Sequence, residues 1–162
     1  MVHYFAYGSN MDKEDLDKWC ENKRKPMVTF RSISPAKLNG YKLSFNYFSS
    51  CRNGGAANIM ESKKDCVYGL LIEMEKDNLN TIRTKEGYPN FYDEICVGVE
   101  TFNGTLFRDV KTYKVVKSQE KPNHQPPTRY YMQLIIKNAR KYSFPSEYIR
   151  FLESIQTRLD EE

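Results

Sequence analysis

The chain has 162 residues, 40% hydrophobic and 28% charged, with 25 Lys+Arg against 21 Asp+Glu for a formal charge of +4. That length suits a single domain over residues 1–162 that buries roughly two-thirds of its extended surface without needing disulfides. The small, evenly interleaved charge is a weak footprint for nucleic acid and argues against it as a partner, no apolar run nears the ~20 residues of a membrane span, and no basic start leads into an apolar signal segment.

Cys20, Cys51, Cys66 and Cys96 form no CxxC pair, and only His3 and His124 could join them, which argues against a zinc site. The expectation is a cytoplasmic protein whose thiols are reduced and packed.

Near the start, FAYGSN ends a run of strand formers, Val2, Tyr4, Phe5 and Tyr7, on Gly8-Ser9-Asn10, residues that permit a turn with unusual backbone angles. Asp12 and Asp15 ahead of Leu16 and Trp19 predict a short helix near residues 12 to 19, so the turn's amides stand where they can hold an anion. KLNGYKLSFNYFSS alternates Tyr41, Leu43, Phe45 and Tyr47 with polar residues, as a half-buried strand does. After a Gly-Gly pair and the apolar run AANIM, CVYGLLIEM is apolar on both faces and reads as a central strand; its Gly69 marks a bulge or a close backbone approach.

EKDNLNTIRTKEG predicts a helix that Gly87 closes in the left-handed conformation. Asn103-Gly104 then gives the strongest hairpin signal in the chain, and KSQEKPNHQPP reads as a surface loop. Two helices finish the sequence. One carries the stripe Tyr131, Leu134, Ile135, Asn138, Ala139 and Tyr142; the other, after Pro145, carries Tyr148, Leu152, Ile155 and Leu159. Asp160-Glu161-Glu162 predicts a frayed end. Five or six strands in a row, with helices inserted and appended, favour an α+β fold.

Glu86 breaks two local rules. It falls on the stripe of Leu79 and Ile82, and it sits in the last helical turn, where the dipole disfavours an anion. Burial and the helix end both raise a carboxyl pKa, which suits a general acid/base. The alternative is that the helix stops at residue 85 and Glu86 faces water. Ser9 has no base near it in sequence and suits a turn; Tyr7 and Tyr131 suit packing, although the Tyr131 hydroxyl, in the first turn of its helix, could reach a cleft.

FAYGSN, GGAANI at 54 to 59, KEG at 85 to 87 and PPTRYYMQLII with PSEYI near the end together resemble the gamma-glutamylcyclotransferase-like superfamily over nearly the whole chain. The resemblance implies a small mixed β-barrel with peripheral and C-terminal helices, acting on a small-molecule gamma-glutamyl substrate without a cofactor, as a monomer or homodimer. It carries over Glu86 as the catalytic residue and Tyr4, Phe5, Ala6, Tyr7, Gly8, Ser9 and Tyr131 as substrate-contacting, with Asn10 bracing the turn. YGSN resembles the branch acting on gamma-glutamyl amino acids, whereas YGSL or YGTL is similar to members acting on glutathione or gamma-glutamylamines. ARKYSFPSEY departs from the family by lacking a glycine-rich stretch between the last two helices. A non-catalytic binding module, a relative specific for gamma-glutamylamines or other acyl groups, and a role for Asp93 or Glu94 in the pocket stay open.

Overall fold

The computed structural model describes residues 1–159; the acidic end expected to fray lies outside them. Strands β1 (Val2–Ala6), β2 (Ser32–Ser49), β3 (Gly54–Met74), β4 (Tyr92–Thr101) and β5 (Leu106–Val115) close into a barrel in the order β1-β3-β2-β4-β5. Neighbours pair antiparallel, except that β1 meets β5 in parallel through Tyr4 and Lys111. The barrel is therefore mixed. Closure leaves no long open edge, the feature that otherwise invites pairing with another chain. Helices α1 (Lys13–Lys23), α2 (Asn78–Glu86), α3 (Arg129–Lys141) and α4 (Ser146–Ser154) complete the α+β architecture.

The alternation in β2 buries Leu43, Phe45 and Tyr47, and β3 is the central strand between β1 and β2, with Val67, Leu70 and Ile72 fully buried. AANIM and CVYGLLIEM belong to this one strand. Its register breaks between them: Asn39 of β2 faces Cys66, yet Tyr41 faces Glu61, so Ser62–Asp65 are an excursion opposite Gly40. Gly69 marks a close approach, since a Cβ there would lie 2.4 Å from the Ala6 carbonyl oxygen.

The helices depart from expectation at their ends. Asp12 caps α1 through its side chain, accepting from the Asp15 amide at 2.9 Å, and the helix runs on to Lys23. Helix α4 stops at Ser154, leaving Ile155 beyond it and Leu159 93% exposed. There the chain turns to other partners, the Arg158 amide donating to the Pro127 carbonyl at 2.8 Å. Gly87 closes α2 with φ 68° and ψ 33°, and Thr128 caps α3 by accepting from the Tyr131 amide. Asn103-Gly104 turns the β4–β5 hairpin with Gly104 at φ +88°.

Cys20 is buried, whereas Cys51 and Cys96 are exposed, against the expectation of packed thiols. Both sit where the chain faces outward: Cys51 in the β2–β3 turn and Cys96 on β4 beside the Lys111 ammonium at 3.0 Å. Among the described residues no helix is long and apolar enough to cross a membrane.

Candidate active site

At one rim of the barrel, β1 ends at Ala6 and the chain makes a single 3-10 turn over Ser9–Met11, closed by the Met11 amide on the Gly8 carbonyl at 3.1 Å. Gly8 has φ −114°, so it is not held by a positive φ. It is small because the space is taken: an added Cβ would lie 3.2 Å from the Tyr131 hydroxyl and 3.3 Å from the Ala57 Cβ. Close packing is thus one reason for glycine here, beside a backbone outside the regular helix and strand regions, with ψ −141°.

The turn faces a cavity of about 180 Å³. Tyr4, Tyr7, Gly8, Ser9, Glu86 and Tyr131, six of the eight residues singled out from the sequence, line it. Phe5 and Ala6 do not: Phe5 is fully buried, its ring against Gly69 and its carbonyl accepting from Thr112, and Ala6 pairs with Leu70. Two tyrosines grip the backbone of Ala57 on the opposite wall. Its N–H donates to the Tyr131 hydroxyl at 2.9 Å, and its carbonyl accepts from Tyr92 at 2.8 Å. The Gly54-Gly55 pair just before lets the Pro-rich loop press on β3, the Gly55 amide donating to the Pro126 carbonyl at 3.0 Å.

Helix α2 does not stop early; its last residue is Glu86, whose carboxyl enters the cavity. Asn10, expected to brace the turn, instead ties three side chains of the cavity together, while backbone bonds close the turn. Its Nδ2 donates to Glu86 Oε1 at 2.7 Å and to the Tyr4 hydroxyl at 3.1 Å, while its Oδ1 accepts from Lys85 Nζ at 2.6 Å. Burial raises the Glu86 pKa above the ordinary carboxyl range, and the cations of Lys85 and Arg52 act against that rise. Burial also lowers Lys85, helped by Arg52 and opposed by Glu86 and Asp15, to about 8.

Arg52, from the β2–β3 turn, was not visible from the sequence. It clasps Asp15 with two nitrogens at 2.6 and 3.2 Å, donates to Ser9 Oγ at 3.1 Å, and lies 5.5 Å from the Tyr131 ring centre. Ser9 thus has a cation as its partner, and neither histidine lines the cavity. Asp93 is exposed and Glu94 is paired with Arg83 at 2.7 and 2.8 Å and with Tyr113 at 2.7 Å, which hold its pKa below the usual range; neither lines the cavity. No group of three or more His, Cys, Asp or Glu among the described residues could hold a metal ion.

A buried carboxyl facing a turn with free amides can move a proton and hold an anion side by side; the Gly8 and Ser9 N–H groups make no hydrogen bond among the described residues. Barrel, turn and buried glutamate mark a protein of the AIG2-like class, and the AIG2-like family model matches residues 66–152. Over 94% of its length the chain is 32% identical to the gamma-glutamylcyclotransferase of Bos taurus and 31% identical to that of Homo sapiens, spanning 78% of each. A solved structure of a gamma-glutamyl cyclotransferase matches it with a TM-score of 0.81 at 30% identity, covering 99% of this chain and 91% of that one. The chain belongs to the gamma-glutamylcyclotransferase-like superfamily.

Proposed function

We propose that the protein is a gamma-glutamylcyclotransferase that converts a gamma-glutamyl amino acid into 5-oxoproline and the free amino acid. The observation that carries this reading is the Glu86 carboxyl, buried in the same small cavity as the Gly8 turn. The names of the relatives in Bos taurus and Homo sapiens support it.

In such a substrate the α-amine of the gamma-glutamyl group can reach its own side-chain carbonyl. Its N–C bond forms, a five-membered ring closes, and the bond to the leaving nitrogen breaks. Holding the chain in that pose supplies an effective molarity of about 10⁵ M or more, so no Ser-His or Cys-His pair is needed, nor any metal or organic cofactor. What remains is proton transfer. The α-amine starts as an ammonium and ends as a lactam N–H, so two protons leave it. Glu86 takes the first, which frees the amine to attack, then the second as the ring closes, and hands each on to the departing nitrogen, which leaves as the ammonium of the free amino acid. A carboxyl with a raised pKa suits both halves of that exchange. The free Gly8 and Ser9 amides are suited to the α-carboxylate or to the oxyanion as it forms.

Four free cysteines fit a reducing cytoplasm as the setting, as monomer or homodimer. The test is release of 5-oxoproline from gamma-glutamylalanine, followed by mass. Glu86→Gln is expected to lose about 10²–10⁴-fold in kcat, the span of one general acid/base. Equal rates would remove Glu86 from the chemistry. Saturable binding without turnover across gamma-glutamyl compounds would make the protein a binding module.

A further inference from the structure

We infer that Lys85 is a positioning residue for this reaction: by bonding Asn10 Oδ1 it fixes which end of the Asn10 amide faces Glu86, and so which carboxylate oxygen is left for the substrate. The inference rests on the reaction proposed above, but the linkage between the three side chains can be tested without it.

An asparagine amide has two ends of nearly equal shape, and its neighbours decide which way it turns. Asn10 has three neighbours: Lys85 Nζ at 2.6 Å, Glu86 Oε1 at 2.7 Å and the Tyr4 hydroxyl at 3.1 Å. An ammonium only donates. With Lys85 charged, the amide oxygen must face it, and both Nδ2 hydrogens then point at Glu86 and Tyr4. The reversed amide would set NH₂ against NH₃⁺ and oxygen against carboxylate. Glu86 Oε1 is thereby occupied, and Oε2 has no partner among the described residues.

The Lys85 side chain is only 8% exposed, so an uncompensated ammonium there is costly and its hydrogen bond to Asn10 counts for more than on a surface. The charged and titratable groups around it are Asp15 and Cys20 on α1, Arg52 in the β2–β3 turn and Glu86 on its own helix. Asp15 is already clasped by Arg52 and stands 3.9 Å from Lys85 Nζ, and burial raises the Cys20 thiol. Asn10 is therefore the hydrogen-bond partner of Lys85. When Lys85 loses its proton, with a pKa near 8, it gains a lone pair and no longer dictates the amide's orientation.

Turnover of gamma-glutamylalanine against pH is compared for the wild type, Lys85→Met and Lys85→Arg, beside a ¹³C-carboxyl NMR titration of Glu86 that needs no turnover. In Lys85→Met we expect kcat about tenfold lower, KM within about twofold, and both the acid limb and the Glu86 titration moved up by about one pH unit, because a cation that favoured the carboxylate is gone. The base limb near pH 8 should vanish with it. Lys85→Arg, still a pure donor, should restore most of kcat and the acid limb. Adding Lys85→Met to Asn10→Ala should cost little more than Asn10→Ala alone, as expected if one acts through the other.

A higher KM with both limbs in place would make Lys85 a substrate contact and overturn the inference; so would a Glu86 titration that ignores Lys85. If Lys85→Met does not fold, Lys85→Gln takes its place, because a glutamine can present either end to Asn10 and should move the limb in the same direction. A wild type that turns nothing over while its Glu86 titration still responds to Lys85 would sink the reaction and leave the linkage standing.

Discussion

Gly8 shows how a single residue can be read correctly for only part of its reason. Gly-Ser-Asn signals a turn, and a turn is there, but the glycine is also favoured by the Tyr131 hydroxyl and Ala57 Cβ that a methyl would meet at 3.2 and 3.3 Å. Gly8→Ala should force these groups apart by a few tenths of an ångström, cost about 1–3 kcal/mol of stability and weaken turnover more than it weakens the fold. Tyr131→Phe should act differently. It leaves the Ala57 N–H without its acceptor, worth about 1–3 kcal/mol, at unchanged packing. Thermal unfolding beside turnover separates the two; a Gly8→Ala protein with wild-type stability and rate would show that the neighbours yield freely. Glu86 could be singled out in the sequence because a carboxylate on an apolar stripe is an exception. Lys85, Arg52 and Asp15 could not, since a lysine in the last helical turn, an arginine in a turn and an acid in a first helical turn each obey local rules. Only the fold brings α1, the β2–β3 turn and α2 to one cavity.

Among the elements, those with a local cause were legible: the Asn103-Gly104 hairpin, the Gly87 cap, and the α3 stripe that buries Tyr131, Leu134, Ile135, Asn138 and Ala139. The unity of β3 was not, because the exposed run Glu61–Asp65 looks like a connection and is held in the strand by its partners on either side. The end of α4 was not, because tertiary bonds of residues after Ser154 to the Pro-rich loop stop it rather than any residue in it. That loop also explains the Gly-Gly pair. A Cβ on Gly55 would lie 1.8 Å from the Gln125 carbonyl oxygen, so Gly55→Ala must push the loop away and break the Gly55–Pro126 and Gln125–Phe45 backbone bonds. We expect a loss of at least about 2 kcal/mol and faster hydrogen exchange at the residue 55 and 125 amides. Gly98→Ala is the control, its nearest contact being 3.7 Å away, and should be close to neutral. Equal effects of the two would detach the loop from the role given to it here.

For the molecule as a whole, the cavity is a place where the fold gives up stability to keep ionisable groups out of water. Burial raises the Glu86 pKa in the folded chain, so between its unfolded and folded values the native state holds a proton that the unfolded state releases. Below the unfolded value the carboxyl is neutral in both states and costs nothing; stability falls as pH rises through the window and stays lower above it. Lys85 has the opposite sign. Its folded pKa is lowered to about 8, so the cost of its charge is fully present below that pH and is relieved as pH climbs toward the unfolded value. Both groups therefore weigh against the fold at neutral pH. Glu86→Gln, expected to slow turnover by about 10²–10⁴-fold, should melt higher than the wild type at pH 7, by about 2–4 °C for each kcal/mol relieved in a chain of this size. The gap should close toward about pH 4, where the unfolded carboxyl takes up its proton. Melting curves of the two proteins from pH 4 to 8 decide it: a gap that is constant, or widest at the acid end, would mean that Glu86 is not held against its preference for water.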